Sequence, residues 1–205
     1  MTMAGQVVFL DPQKRERRRQ ILEAAKHVFA EAGYHGASIH AIIDRAGIAR
    51  GTFYLYFESK SAVFSSILDE AMEHLRRHMH RIEVDDPKAP PPQVQLRTQV
   101  IAALEYVVQD RPLAMLVLSA GHTPDAEAAE RLDQFFQEVR DLLRRAFESG
   151  QEIHMLRKVE PELLAAAMLG MIRGVVEHII TQPDPPTVAA VVDEILLVAL
   201  RGVLA

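Results

Sequence analysis

The segment SIHAIIDRAGIARGTFYLYFESK, residues 38–60, decides the fold of this chain. Its apolar residues recur with a helical period and divide it into two short helices that meet at Gly47. Ser38 can cap the first helix by accepting a hydrogen bond from an N–H group of the opening turn. Gly47 stands where a helix often ends in a left-handed residue. Phe53 and Phe57 lie one turn apart and can anchor the second helix in a core. This arrangement predicts a helix-turn-helix.

The face opposite the two phenylalanines carries arginine, threonine and tyrosine, which are residue types suited to DNA. One α-helix fits the major groove, where an arginine can donate two hydrogen bonds to guanine, and hydroxyl groups suit phosphate oxygens. Lys60 opens the next helix, which Ser59 caps, so its ammonium can join free backbone N–H groups at one phosphate. Burial as an aromatic core strip remains the alternative for the tyrosines, although a buried hydroxyl needs a partner. The predicted DNA-contacting residues are Ser38, Arg50, Gly51, Thr52, Tyr54, Tyr56 and Lys60.

This segment resembles the tetracycline-repressor (TetR) family. The resemblance rests on Gly47, Ile48, Ala49, Arg50, Gly51, Thr52, Tyr54, Phe57, Ser59 and Lys60. Two positions depart from the family pattern: Tyr56 stands where histidine is common, and Val63 where leucine is common. The resemblance implies an all-α homodimer that binds a palindromic operator in double-stranded DNA and represses transcription until a small molecule releases it.

Composition agrees with an intracellular DNA-binding protein. The 205 residues include no cysteine, which excludes disulfides and thiolate metal sites and suits a reducing cytoplasm. The N-terminal residues do not form a secretory signal, and the apolar runs are too short for a bilayer, so we expect a soluble cytoplasmic protein with no membrane partner. Residues 1–60 carry nine Lys/Arg against six Asp/Glu, whereas residues 61–205 carry fourteen against twenty-two. A basic head on an acidic body directs one end of the molecule toward phosphates.

The N-terminal part of the chain predicts an arm and a first helix. Residues 1–13 lack periodicity, and we expect them to form a mobile arm. An apolar stripe then follows and ends at Gly33, which completes a three-helix head over residues 14–60. Five cations crowd the start of this helix, where positive charge is unfavourable, so phosphate contacts and a solubilising patch both remain open. These cations are Lys14, Arg15, Arg17, Arg18 and Arg19.

Residues 61–205 predict a helical domain for effector binding and dimerisation. A long helix starts after Ser59 and is expected to reach about Ile82, and the four prolines of EVDDPKAPPPQ then exclude regular helix. Further helices are predicted near residues 94–109, 113–120, 123–149, 161–180 and 187–204, with a break at Arg111-Pro112 and a stop at Gly150.

The last two helices indicate a two-fold dimer. Ala166, Gly170 and Gly174 recur at every fourth residue, which forms a small-residue ridge that another helix can approach closely. The closing helix carries a wide valine-rich stripe. Burial of both faces in the monomer's own core is the alternative, but a reader of palindromic DNA needs two heads.

Two features of the second half bear on ligands. His74 and His78 have the spacing of helical zinc ligands, but arginines separate them, so surface histidines are favoured over a metal site or an enzyme. No phosphate loop or nucleophile motif occurs, and no cofactor is expected. Flexible apolar residues with a few polar neighbours instead predict an effector pocket, with core packing as the alternative. The predicted effector-contacting residues are Met72, Met79, Tyr106, Met115, His122, Phe135, Met168 and Met171.

Overall fold

The computed structural model describes residues 12–119 and 126–203, with side chains to Val198. All regular structure in these residues is α-helical, which confirms the predicted fold class. The helices are α1 (Pro12–Gly36), α2 (Ile39–Ala46), α3 (Arg50–Tyr54), α4 (Lys60–His78), α5 (Pro92–Gln109), α6 (Arg111–Leu118), α7 (Ala126–Glu152), α8 (Pro161–Thr181) and α9 (Val188–Val203). Residues 1–11 of the predicted arm lie outside the described residues, and Pro12 and Gln13 belong to α1 rather than to an arm.

The head consists of α1, α2 and α3, and local hydrogen bonding sets the ends of its helices. The Ser38 hydroxyl accepts from the Ala41 N–H at 3.1 Å, as a cap should. Gly47 adopts the left-handed conformation (φ 61°, ψ 39°) and returns the chain toward α3. The backbone of α1 breaks at Gly33 (φ 66°, ψ 166°), a combination that is essentially restricted to glycine. The predicted end of α2 is therefore confirmed, whereas the predicted end of the first helix at Gly33 is a break after which α1 continues to Gly36.

The long helix α4 joins the head to the second half. Ser59 caps it by accepting from the Ala62 N–H at 3.0 Å, as predicted. The helix ends at His78 and not near Ile82, so that predicted end is wrong. The His80 ring donates its Nδ1 hydrogen to the Arg77 carbonyl oxygen at 3.2 Å, and a continued helix would use that oxygen for the Arg81 N–H.

The body, residues 61–203, places α7 against α4 and α8, and α5 against α9. The break predicted between α5 and α6 occurs, but it lies at Asp110 rather than at Arg111-Pro112, and the stop predicted at Gly150 is wrong. The helix α6 starts at Arg111, because the Asp110 carboxylate caps it by accepting from the Leu113 N–H at 3.0 Å. Gly150 does not end α7, which continues to Glu152. Gly150 is needed for packing, since a Cβ atom there would lie 2.7 Å from the side chain of Leu156.

Two clusters of buried side chains hold the fold together. The first unites the head with α4, α6, α7 and α8, so the head has no separate core. The second joins α5, α6, α8 and α9 around Leu104, Val176 and Val192. The helices between the two clusters enclose a cavity.

Helix α8 has the length and composition of a membrane span, with a mean hydropathy of 1.7 in its most apolar window. Only 22% of that window is buried within the chain. Its exposed face includes Leu163, Ala166, Gly170 and Gly174, the small-residue ridge noted in the sequence. An exposed apolar face of this kind marks an interaction surface.

Candidate DNA-binding surface and effector cavity

Helix α3 presents its predicted outward face to solvent. Phe53 is fully buried beneath it, whereas Tyr54 is 46% exposed and Arg50 and Gly51 are exposed. The Arg50 guanidinium lies 5.8 Å from the centre of the Tyr54 ring, a cation–π contact across one helical turn. Thr52 and Tyr56 are half-buried at the edges of this face. The exposed face of α3 therefore presents the Arg50 cation, side-chain hydroxyl groups and the backbone at Gly51.

Leu55 is a surface residue that the sequence reading missed. It follows α3 directly and is 82% exposed, the largest exposure among the large apolar residues described. An apolar side chain beside a major-groove helix can contact the methyl group of thymine. In the sequence, its position between Tyr54 and Tyr56 was the signal that could have indicated this exposure.

Lys60 occupies a more internal position than predicted. Its ammonium donates hydrogen bonds to the carbonyl oxygens of Tyr34 (2.7 Å) and Ala37 (3.1 Å). It also lies 4.3 Å from the centre of the Tyr34 ring. Lys60 thus holds the end of α1 against the start of α4. Because an ammonium has three donors, one remains for a phosphate.

The basic cluster on α1 is partly neutralised within the chain. Arg18 forms an ion pair with Glu70 of α4 and lies 5.3 Å from the centre of the Phe57 ring. Arg19 pairs with Glu16, and this hydrogen bond lowers the pKa of the Glu16 carboxyl. The Arg18–Glu70 pair braces α1 against α4. Both pairs leave fewer cations for DNA than the sequence indicated.

The cavity between the two core clusters has a volume of about 180 Å³ and an almost wholly apolar lining. It is lined by residues from α4, α5, α6, α7, α8 and α9. Four of the residues predicted to contact an effector line it: Met79, Tyr106, Phe135 and Met168.

The other predicted contacts lie elsewhere. Met72 is 3% exposed and belongs to the first core cluster. Met171 is half-buried beside the second cluster and does not line the cavity. Met115 is 43% exposed, so its predicted inward orientation is wrong. It projects from the side of α6 opposite Leu113, which is buried. His122 lies outside the described residues.

Aliphatic and aromatic side chains that the sequence reading did not single out complete the lining, among them Val100, Ala103, Leu142 and Phe147. Tyr106 and Arg173 are its polar members. Burial raises the pKa of the Tyr106 hydroxyl, so the phenol remains neutral at physiological pH. The Arg173 guanidinium lies 4.6 Å from the centre of the Phe136 ring. Such a surface favours a hydrocarbon ligand.

The histidines of α4 form a stack on Tyr106. The ring centres of His74 and Tyr106 are 3.6 Å apart, and those of His74 and His78 are 4.1 Å apart. Burial lowers the pKa of His74, and the charges of His78 and Arg77 add to this effect. No group of three potential metal ligands occurs among the residues that the structure describes. The stack is a packing element between α4 and α5.

A buried ion pair connects the head to the cavity. Lys26 of α1 is 9% exposed and bonds both Asp110 and Glu23. Burial opposes its charge, but the hydrogen bonds to Asp110 and Glu23 outweigh burial and raise the Lys26 pKa. Asp110 also caps α6, whose Leu113 lines the cavity. The carboxylate of Asp110 therefore joins a head helix to a cavity helix.

Comparison with known proteins covers both halves of the chain. Residues 21–75 match the family described as bacterial regulatory proteins, tetR family, and residues 89–177 match the tetracyclin repressor-like C-terminal domain. The chain is 28% identical to the transcriptional activator FasR of Mycolicibacterium smegmatis, over 75% of this chain and 69% of FasR. It is 27% identical to the transcriptional repressor KstR of Mycobacterium tuberculosis, over 78% of this chain and 73% of KstR.

The same fold occurs in the solved structure of the transcriptional regulator FadR from Bacillus subtilis in complex with stearoyl-CoA. The TM-score is 0.72 at 20% identity, over 90% of this chain and 98% of that chain. These relatives are named as transcriptional regulators rather than enzymes. The exposed face of α3 and the helical body agree with the two family matches, and the resemblance noted in the sequence is confirmed. This chain belongs to the TetR family of bacterial transcriptional regulators.

Proposed function

We propose that the protein is a cytoplasmic homodimeric repressor that an apolar effector releases from a palindromic operator. The observation that carries this proposal is the apolar cavity, because α4 borders it through Ala71 and Leu75 and also begins at Lys60, shortly after α3 ends at Tyr54. A ligand in the cavity contacts the same helix that holds the head. It shifts the equilibrium only by its difference in affinity for the two states, so it must fit the DNA-incompetent state better.

The head is connected to the cavity by two routes. One is α4 itself, which Lys60 ties to the end of α1. The other is the Lys26–Asp110 ion pair between α1 and α6. A ligand that displaces α4 or α6 must therefore move the head or break these contacts. The complex of B. subtilis FadR with stearoyl-CoA supports the proposal, because that ligand carries a long apolar chain.

We assign DNA contact to the exposed face of α3 and its flanks. Arg50 reads bases, and Thr52, Tyr54 and Tyr56 hold phosphates. Ser38 can donate its hydroxyl hydrogen to a phosphate, since its oxygen already accepts from Ala41. Gly51 allows the backbone to approach the duplex closely.

We assign the dimer interface to α8 and α9. A Cβ atom added at Gly170 or Gly174 would meet nothing within 4 Å in the monomer, so this ridge is open to a partner. Leu163, Leu197 and Val198 extend the exposed apolar surface. A two-fold dimer would seat the heads roughly 34–36 Å apart on successive major grooves.

The dimer assignment is tested by sedimentation of Gly170→Leu at micromolar concentration. Because the site is open in the monomer, the variant should keep its helical circular dichroism and sediment as a monomer. Ala32→Leu, an enlargement on the exposed part of α1, should remain dimeric. A Gly170→Leu dimer as tight as the parent would contradict the assignment.

The repressor proposal is tested through reciprocity between the two ligands. Coupling of about 1–3 kcal/mol would weaken operator binding roughly 5–150-fold, and operator must weaken effector binding by the same factor. An effector identified by thermal shift should be titrated by calorimetry with and without operator DNA. Equal affinities would refute effector release.

The second candidate is a constitutive or architectural DNA-binding protein whose body only dimerises. The cavity weighs against it, since a pure dimerisation module needs no internal space. This second candidate predicts that no apolar compound both raises the melting temperature of the protein and lowers its affinity for the operator. An effector that strengthens operator binding would instead indicate an activator.

A further inference from the structure

A second cavity of about 360 Å³ adjoins the effector cavity and differs from it in chemistry. The two cavities adjoin, because five residues line both of them: Met79, Leu96, Leu142, Ala146 and Phe147. The second cavity extends this space toward the surface between the end of α4, the start of α5 and the end of α7. Because it lies on the surface side of the effector cavity, we call it the mouth below.

The mouth contains a buried polar side chain. Gln99 of α5 is 7% exposed and lines the mouth. Its side-chain amide makes no hydrogen bond to any residue that the structure describes. A buried amide without a partner costs free energy, so native proteins usually satisfy such groups. The Gln99 amide can bond to a ligand that enters the mouth.

Two cations stand at the rim of the mouth. Arg81 and Arg145 are exposed and form no ion pair within the described part of the chain. Neighbouring arginines differ, since Arg76 pairs with Glu138 and Arg144 pairs with Glu148. Glu152 is the one carboxylate among the described residues that line the mouth, so the charge of this lining is net positive.

We infer that the effector is an anionic amphiphile, a chain of hydrocarbon with an acidic head group. This inference rests on the proposed function and names the ligand class of the same cavity. The hydrocarbon fills the effector cavity, where hardly any polar surface is exposed. The head group lies in the mouth, where Gln99 donates its NH₂ to a head-group oxygen and Arg81 and Arg145 neutralise the charge.

The test compares ligands that share a chain and differ in the head group. Dodecanoate, dodecanol and dodecanoyl-CoA are titrated into the full-length protein by calorimetry. Dodecanoate should bind at least about tenfold more tightly than dodecanol, since hydrogen bonds to charged groups are the stronger kind. Added salt should weaken the binding of dodecanoate and leave the binding of dodecanol unchanged. Comparing dodecanoate with dodecanoyl-CoA shows whether the mouth prefers a carboxylate head group or a phosphate-bearing one. Tighter binding of either anion than of dodecanol supports the inference.

Variants locate the head group. The double variant R81Q/R145Q should bind dodecanoate about tenfold more weakly than the parent does. Its affinity for dodecanol should stay within about twofold of the parent's. Gln99→Leu should weaken dodecanoate while the free protein keeps or gains thermal stability, because the substitution removes the buried amide. Lys88→Gln, which removes a charge from an exposed loop outside the mouth, should behave as the parent.

Two outcomes would overturn the inference. If dodecanol binds as tightly as both anions and the variants treat all three alike, the cavity takes neutral effectors, and release by an apolar ligand still stands. If no chain binds, an anionic amphiphile is excluded. The titration with and without operator then decides separately whether any other apolar effector releases DNA.

Discussion

In the head, the inward side chains of Ile21, Ile42 and Phe53 are fully buried, with 0% exposure. In the body, Leu142 and Phe147 face inward yet remain half-buried around a cavity of about 180 Å³. The two regions share a continuous core and the same helical architecture, so the difference is one of packing density. A DNA-reading helix must be held rigidly, whereas an effector needs space. The head is thus densely packed, the body contains a cavity, and α4 and α6 connect the two.

The largest effect should come from removing a matched aromatic ring at each end. Phe53→Ala should cost about 3–5 kcal/mol of unfolding free energy, because the filled head cannot collapse around the hole. Phe147→Ala should cost less than that range, because its ring already borders empty space. Urea unfolding of both variants measures the difference. Equal losses would contradict the claim that the two ends differ in packing.

The second prediction concerns the connection between the ends. Lys26→Met should destabilise the protein by about 3 kcal/mol, since it leaves the half-buried Asp110 carboxylate without its cation. The double variant K26M/D110N should recover part of this loss, because the introduced amide carries no charge and its oxygen can still cap α6. Urea unfolding of the single and double variants checks both values. Simple additivity of the two substitutions would show that the pair does not couple α1 to α6.

The features that the sequence predicted correctly are those that local chemistry decides. Ser38 and Ser59 cap their helices, and Gly47 takes the left-handed conformation, because each needs only its chain neighbours. The end of α4 and the continuation of α7 depend on distant or side-chain contacts. Gly150 reads as a helix stop, yet it is required by Leu156, which returns to pack on it. A sequence pattern does not contain that contact.

The candidate sites divide in the same way. The exposed face of α3 follows from its angular opposition to Phe53, so it was predictable. The cavity was predicted in kind but only partly in lining. Met79 and Met168 line the cavity, whereas Met115 does not, because α6 turns that side chain outward. Contact of these residues with an effector stays a prediction. The surroundings of the Gln99 amide were not predictable, since they depend on every group that packs around it.

The third prediction separates DNA reading from head stability. Arg50→Ala should weaken binding to the preferred operator by about 1–3 kcal/mol and relax the preference at one base position, without changing unfolding. Lys60→Ala should weaken binding to all sequences and also lower stability, because its ammonium holds two carbonyl oxygens at the end of α1. Anisotropy titrations at matched salt, beside thermal melts, distinguish them. Unchanged operator affinity in both would refute the contacts.

The smallest expected effect is a pH dependence that arises from the histidine stack of the body. His74 stacks between Tyr106 and His78, and burial lowers its pKa below the usual value of 6.5, with the charges of His78 and Arg77 adding to this. The crevice around the ring also holds Arg18 and three acidic residues, Asp69, Glu70 and Glu73.

As pH falls through 6.5, the unfolded chain takes up a proton at His74 before the folded chain does. Stability should therefore decrease below this pH, whereas above it both states are neutral and His74 contributes no slope. His74→Phe keeps a ring against Tyr106 and removes the proton. Urea unfolding at about pH 7.5 and about pH 5.5 should show a larger loss in the parent than in this variant, and the effects of the histidines outside the stack cancel because both proteins contain them. Equal losses would mean that His74 binds its proton as readily in the folded stack as in the unfolded chain.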